Sequence, residues 1–170
     1  YALYGLDWQR TVVLQKRFGA RHAFPTAEEF WSCGMDAVVI CTPAPLHRQN
    51  VLTAAEHGKH VLCEKPLAKS VEDIEVMRDR MDEAGKLLAT GFTYRFSSSA
   101  LDIHRLVREK AIGEVRSLRL VYLWNLHGKW NWDDNGRMVP SRLRVGRMLE
   151  GGPMVDCGFH QIDPARVWLG

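Results

Sequence analysis

Two short stretches of this sequence end apolar runs with side chains of complementary chemistry. Cys41-Thr-Pro-Ala-Pro-Leu-His47 closes one run and Glu64-Lys65-Pro66 closes the next, so a hydroxyl, an imidazole, a carboxylate and an ammonium stand at consecutive run ends. Further on, Asp156 and His160 lie four residues apart, a spacing that puts both on one face of a helix begun near Gly152. Histidine titrates near neutrality without tuning, so such a set can exchange a proton with a bound ligand while lysine and carboxylates orient it. Each residue alone also has a plainer reading. Thr-Pro makes turns, His47 fits the first turn of a helix, Glu-Lys pairs are commonly solvated, and His160 fits an apolar helix face.

The elements that must position these groups alternate in period. Asp36-Ala-Val-Val-Ile-Cys-Thr42 and Lys59-His-Val-Leu-Cys-Glu64 are nearly continuous in apolar residues, the pattern of strands buried on both faces. Between them Leu46 to His57 reads as a helix with Leu46, Val51, Leu52 and Ala55 inward and Gly58 as its stop. Ser70 with Asp73 opens a second helix carrying Val71, Ile74, Met77 and Met81, Gly85 closes it, and Leu87 to Gly91 is the next strand. Upstream, Tyr1 to Leu6 reads as a strand, Asp7 as the cap of a helix to Phe18, and Thr26-Ala-Glu-Glu29 as a capping box. This grammar predicts a parallel sheet with right-handed crossovers, whose ligands bind beyond the carboxyl ends of the strands. After Gly91 it changes. A helix from about Ser99 to Lys110 is followed by Val115 to Trp124, whose alternation suits a one-sided antiparallel strand. Residues 125–150 read as a long loop or lid, and another helix runs through Trp168. The expected organisation is a domain over 1–95 and the start of a second, α+β domain over 96–170.

Composition narrows the partners. At 170 residues, with 46% hydrophobic and 25% charged, the chain can bury a core, which excludes disorder and disulfide-rich miniproteins. A net charge of +3 without a basic run calls for neither nucleic acid nor a membrane surface. Cys33, Cys41, Cys63 and Cys157 form no CxxC pair and predict free thiols in a reducing, cytoplasmic compartment, with no metal site. No apolar stretch approaches 18 residues, and the chain reads as beginning in mid-domain.

Four ordered motifs together carry a specific resemblance. They are Asp36-Ala-Val-Val-Ile-Cys-Thr-Pro43 with Leu46-His47, Gly58-Lys-His-Val-Leu-Cys-Glu-Lys-Pro66, Gly91-Phe-Thr-Tyr-Arg95, and Gly151-Gly-Pro-Met-Val-Asp-Cys-Gly-Phe-His-Gln-Ile-Asp163. Over essentially the whole chain the sequence resembles the Gfo/Idh/MocA family of NAD(P)-dependent oxidoreductases, which act mainly on sugars, inositols and related polyols. The family's first strand, its glycine-rich phosphate loop and most of its C-terminal sheet are absent. The implied fold is therefore a truncated Rossmann-type doubly wound α/β sheet followed by the start of an α+β substrate domain.

The resemblance implies that Lys65 lies near nicotinamide and substrate, that Glu64 contacts a cofactor ribose, and that Pro66 is a cis proline. Asp156 and His160 match its second-domain catalytic pair. Thr42, Pro43, Leu46 and His47 match positions along the cofactor, and Tyr94 and Arg95 match a Tyr-Arg motif near the active site. Arg95 also suits an interdomain ion pair. The acidic residue that often binds the adenosine ribose falls at Gly5, which leaves NAD by way of Asp7 or NADP by way of Arg10. Oxidising a secondary alcohol requires removal of the hydroxyl proton, a task for His160 oriented by Asp156, with Lys65 sharing that proton.

Trp124, Trp130 and Trp132 are candidates either for stacking on a sugar ring or for a core beneath the lid. Arg137, Arg142, Arg144 and Arg147 read as solvated charges or an anion site. Asp163 reads as support behind the site residues or, more plainly, as a helix-face charge, and Pro164 as a kink just beyond the catalytic face. Three functions compete: a sugar or polyol dehydrogenase working as a homo-oligomeric dimer or tetramer, a glycosidase that recycles NAD, and a truncated binding module. Without its central first strand the sheet is expected to be split, newly paired or completed by another chain, and dinucleotide binding by this chain alone to be weak.

Overall fold

The computed structural model describes residues 1–123, 131, 132, 138, 139, 152 and 154–170, with backbone alone at 131, 132, 138, 139, 155 and 156. The chain divides into two compact units, Tyr1–Gly91 and Phe92–Gly170.

The first unit runs β1 (Ala2–Tyr4), α1 (Trp8–Phe18), β2 (His22–Phe24), α2 (Ala27–Trp31), β3 (Ala37–Ile40), α3 (His47–Glu56), β4 (His60–Cys63), α4 (Val71–Glu83) and β5 (Leu88–Thr90). Local chemistry sets the boundaries. Asp7, Thr26 and Ser70 each accept a hydrogen bond from the backbone N–H three residues on, capping α1, α2 and α4. Gly58 and Gly85, both at φ +64°, take the left-handed turn that ends α3 and α4. Every strand pair is parallel, with Ile40 opposite Cys63 and Cys63 opposite Thr90. The three-residue strand β2, too short to show a period, is not visible in the sequence.

The sheet is split. Among the described residues β1 pairs with β2 alone, while β3, β4 and β5 form a separate sheet. Tyr1–Gly5 on one side and Ala37–Thr42 on the other line a cavity of about 590 Å³. The core is Val38, Ile40, Val61 and Cys63 from the three-stranded sheet, packed with Val51 and Ala54 of α3, Met77 and Met81 of α4, and Phe30 of α2. Two expectations fail in detail. The β3 and β4 runs are buried on one face and not on both, since α3 and α4 cover only one; Val39 and Leu62 point away and are exposed. The inward positions of α3 are His47, Val51 and Ala54, because Leu46 belongs to the preceding 3₁₀ turn, Ala44–Leu46.

The second unit opens with a 3₁₀ turn, Thr93–Phe96, and α5, Ser98–Arg108. Residues 131–132 pair antiparallel with 138–139 as β6 and β7, inside the stretch expected to be loop. A turn of π-helix, Met154–Gly158, leads into α6, Phe159–Leu169. The Trp168 indole N–H donates to the Ala100 carbonyl at 3.0 Å and pins α6 to α5. Pro164 is buried, and the helix continues through it. The strand expected over 115–124 does not form in its described part, residues 115–123. A strand needs a ladder partner for its amides and carbonyls, and no described strand supplies one here. The alternation persists without it: Leu118, Leu120 and Tyr122 line a cavity of about 880 Å³ together with residues of α6.

Candidate functional site

In the first unit the chemistry-bearing residues collect where β3 and β4 end. The Glu64 N–H donates to the Ile40 carbonyl at 2.9 Å, the last rung before the chains leave the sheet as two turns. On the first turn, exposed Thr42 has its hydroxyl oxygen held by the Asn50 amide, which donates at 3.0 Å. A hydroxyl that accepts one bond keeps its own proton as a donor. Pro43 is exposed, and Leu46 is half-exposed at the foot of α3. On the second turn, the Glu64 carboxylate accepts the Lys65 N–H at 3.1 Å, and the Lys65–Pro66 peptide is cis.

His47 departs from the expected role. Its ring is 1% exposed, Nδ1 lies 2.9 Å from the Pro66 carbonyl oxygen, and Nε2 lies 2.8 Å from that of Thr42. The imidazole is therefore beneath the turns, on backbone, and is not presented beside Thr42 and Lys65 for a ligand. Asp7 stands after β1 as expected, but one carboxylate oxygen accepts the Arg10 N–H at 2.9 Å as the α1 cap. Under the strand ends, burial and then the Glu64 charge push the Cys63 thiol up to about 12, so it stays neutral. Burial and Glu64 raise Cys41 as well.

In the second unit His160 is the second residue of α6, and the Tyr94 ring stacks on it with centroids 4.2 Å apart at 20°. Asp156 lies in the π-helical turn, so the pair spans a π-to-α junction and not the regular α-helix from Gly152 that the spacing implied. The Asp156 side chain is outside the described residues. Asp163 is no solvated helix-face charge. It is buried, and its two carboxylate oxygens accept a fork from Arg95, Nε to Oδ2 at 2.7 Å and Nη2 to Oδ1. This pair, inside the second unit, raises the Arg95 guanidinium above its ordinary value through the hydrogen bonds to Asp163. Sequence reading missed the Asn50–Thr42 pairing and, although it allowed Arg95 an ion pair between domains, did not name Asp163 as the partner within one unit. The second joins residues 68 apart, and neither has a local pattern. Trp124, Trp130, Arg137, Arg142, Arg144 and Arg147, with the side chain of Trp132, lie outside the described residues.

Among the described residues no cluster of three His, Cys, Asp or Glu side chains can hold a metal, and no helix is long and apolar enough to cross a membrane. A parallel α/β unit whose polar side chains sit on the turns beyond its strands is of the class that binds dinucleotides. Residues 2–92 match the model of the Gfo/Idh/MocA oxidoreductase family, which has an NAD-binding Rossmann fold, and the chain belongs to that family.

Known relatives agree. Levoglucosan dehydrogenase of Pseudarthrobacter phenanthrenivorans is 32% identical over 161 residues, 91% of this chain and 38% of that protein. The 2,7-anhydro-N-acetylneuraminate hydratase of Escherichia coli is 39% identical over 138 residues, 80% of this chain and 34% of that protein. A solved structure of levoglucosan dehydrogenase in complex with NADH and levoglucosan superposes with a TM-score of 0.78 at 26% identity, covering 99% of this chain and 44% of that one. The chain thus spans less than half the length of these relatives.

Proposed function

We propose that this chain is part of an NAD(P)-dependent oxidoreductase that acts on a CH–OH group of a sugar, inositol or similar polyol. The observation that carries the reading is the Thr42 and Glu64-Lys65-cis-Pro66 turns side by side beyond β3 and β4, in a chain of this family. These residues suit the nicotinamide side of a dinucleotide: a hydroxyl proton at Thr42, a carboxylate at Glu64 for a ribose hydroxyl, and an ammonium at Lys65. Pro43 and half-exposed Leu46 offer apolar surface along the same turn. Asp7, after β1, or Arg10 would select NAD or NADP. The chain contains no G-x-G-x-x-G loop for the pyrophosphate, so the 170 residues alone are expected to bind NAD or NADP more weakly than micromolar, which a fluorescence titration checks.

The bound nicotinamide supplies the hydride acceptor. In this reading His160 takes the hydroxyl proton, its ring plane fixed by Tyr94, with Asp156 orienting it and Lys65 as the second proton-handling group on that oxygen. Arg95 spends Nε and one Nη on Asp163, and the remaining Nη is its donor toward the cofactor. Trp124 stacks on the sugar ring. By likeness to the family, the full protein works as a homo-oligomer in the cytoplasm.

The test is alcohol oxidation by the full-length protein, followed as NAD(P)H formed per product. Stoichiometric NAD(P)H supports the dehydrogenase. The relative named a hydratase favours one second reading, in which the cofactor is reduced and reoxidised within each turnover. Product without NAD(P)H would select it. In the oxidising direction the rate should rise with pH through one step, and His160→Ala should remove that step with most of the rate.

A further inference from the structure

We propose that His47 is a positioning residue whose imidazole ties the turn after β3 to the turn after β4, and so sets where Thr42 stands relative to Lys65. The functional half rests on the roles given above to Thr42 and Lys65. The geometric half stands on the structure alone. Ladder bonding between β3 and β4 ends with the Glu64 N–H on the Ile40 carbonyl. Beyond that rung the two turns carry Thr42 and Pro66, and the His47 ring is held between their carbonyls, 2.8 Å from one and 2.9 Å from the other.

A ring that merely filled space would not need both nitrogens on acceptors. A leucine of similar bulk would offer neither carbonyl a donor. A nitrogen must carry a hydrogen to donate, so joining the two turns takes a hydrogen on each of the two nitrogens of the ring. Its place at the start of α3, whose Val51 and Ala54 are fully buried, anchors that tie to the core. Asn50, one turn further along α3, orients the Thr42 hydroxyl, so a single helix end governs both backbone and side chain of that residue.

Two substitutions separate the ties, because the amide nitrogen of asparagine falls near ring Nδ1 and that of glutamine near Nε2. His47→Asn should keep the Pro66 contact and lose the Thr42 contact, and His47→Gln the reverse. In ¹³C-labelled full-length protein, His47→Asn should shift the Thr42 carbonyl resonance and leave that of Pro66 in place, with His47→Gln giving the opposite pattern. In the same protein His47→Asn should raise the cofactor KM about fivefold or more with kcat nearly unchanged, and His47→Gln should lower kcat about fivefold or more with cofactor KM nearly unchanged.

Parallel changes in KM and kcat in both variants, tracking lost stability, would overturn the proposal in favour of simple packing. An unshifted pair of carbonyls in either variant would overturn it as well. A protein that binds neither NAD nor NADP would overturn the functional reading, while the carbonyl pattern still decides the tie. Should either variant fail to fold, scalar coupling from the wild-type ring nitrogens into the Thr42 and Pro66 carbonyl carbons reads the tie without substitution, and its absence at either overturns it.

Discussion

Val38 and Val39 are neighbours in β3, yet Val38 is 6% exposed and Val39 62%; in β4, Val61 is 3% exposed and Leu62 43%. The residues are equally apolar and the strands parallel, so the contrast comes from what lies on each face. Met77, Met81, Val51 and Ala54, all fully buried, bring α4 and α3 down on the Val38 side. Full burial of such side chains is worth about 1.5 to 3 kcal/mol each, and the Val39 side draws little of that. The strands are thus written for two covered faces, of which this structure covers one. A strand's sequence states what it can bury, and the surrounding helices decide what it does bury. Lys65, beyond the end of β4, belongs to neither face, and substitutions should sort accordingly.

The largest effect should fall at the strand end. On the role proposed for it, Lys65→Met in the full-length protein should lower turnover by about 10² to 10⁴-fold, the range for a proton-handling group. Its stability should stay within about 0.5 kcal/mol of wild type, as for surface substitutions. Turnover within threefold of wild type would remove Lys65 from the chemistry. On the covered face Met77→Ala should destabilise by about 2 to 5 kcal/mol in urea unfolding, because a fully buried methionine leaves a cavity. A loss near that of a surface substitution would mean that α4 does not hold the sheet as the structure shows.

How much of this was legible depends on where the information sits. The βαβ grammar, the caps at Asp7, Thr26 and Ser70, and the strand-end turns are local patterns, and the structure reproduces them. The coverage of Val39, the ladder partner missing from 115–123 and the Arg95–Asp163 pair depend on distant chain, which periodicity does not encode. His47 was legible as a residue at the right turn but not as a buried one, since an imidazole at a helix start faces a ligand or the backbone with equal ease. The π-helical turn at Asp156 is similarly opaque, because π and α geometry share nearly the same sequence preferences.

A third effect on the covered face should appear only in alkali. The Cys63 thiol, raised by burial and by Glu64 from an ordinary 9.0 to about 12, keeps its proton in the folded state over a range where the unfolded chain loses it. Its contribution to stability is therefore complete below pH 9 and is lost as pH rises toward 12, with a slope of about 1.4 kcal/mol per pH unit at most. Cys63→Val, similar in bulk and not ionisable, should flatten that part of the profile in urea unfolding at pH 8, 10 and 11. An unchanged profile would assign the alkaline loss to other groups.

The smallest effect should come from the open face, where one substitution at adjacent positions makes the comparison direct. Valine and threonine are both β-branched and both favour strands, so exchanging them changes little besides a methyl for a hydroxyl. At Val38 that hydroxyl is buried against α3 and α4 without a partner prepared for it, and Val38→Thr should cost about 1 to 3 kcal/mol. At Val39 it meets water, and Val39→Thr should stay within about 0.5 kcal/mol of wild type. Both are read from urea midpoints at constant slope, which keeps changes in the unfolded state out of the difference. Equal losses at the two positions would break the comparison, because a hydroxyl at Val39 is costly only if that face is packed against something in solution.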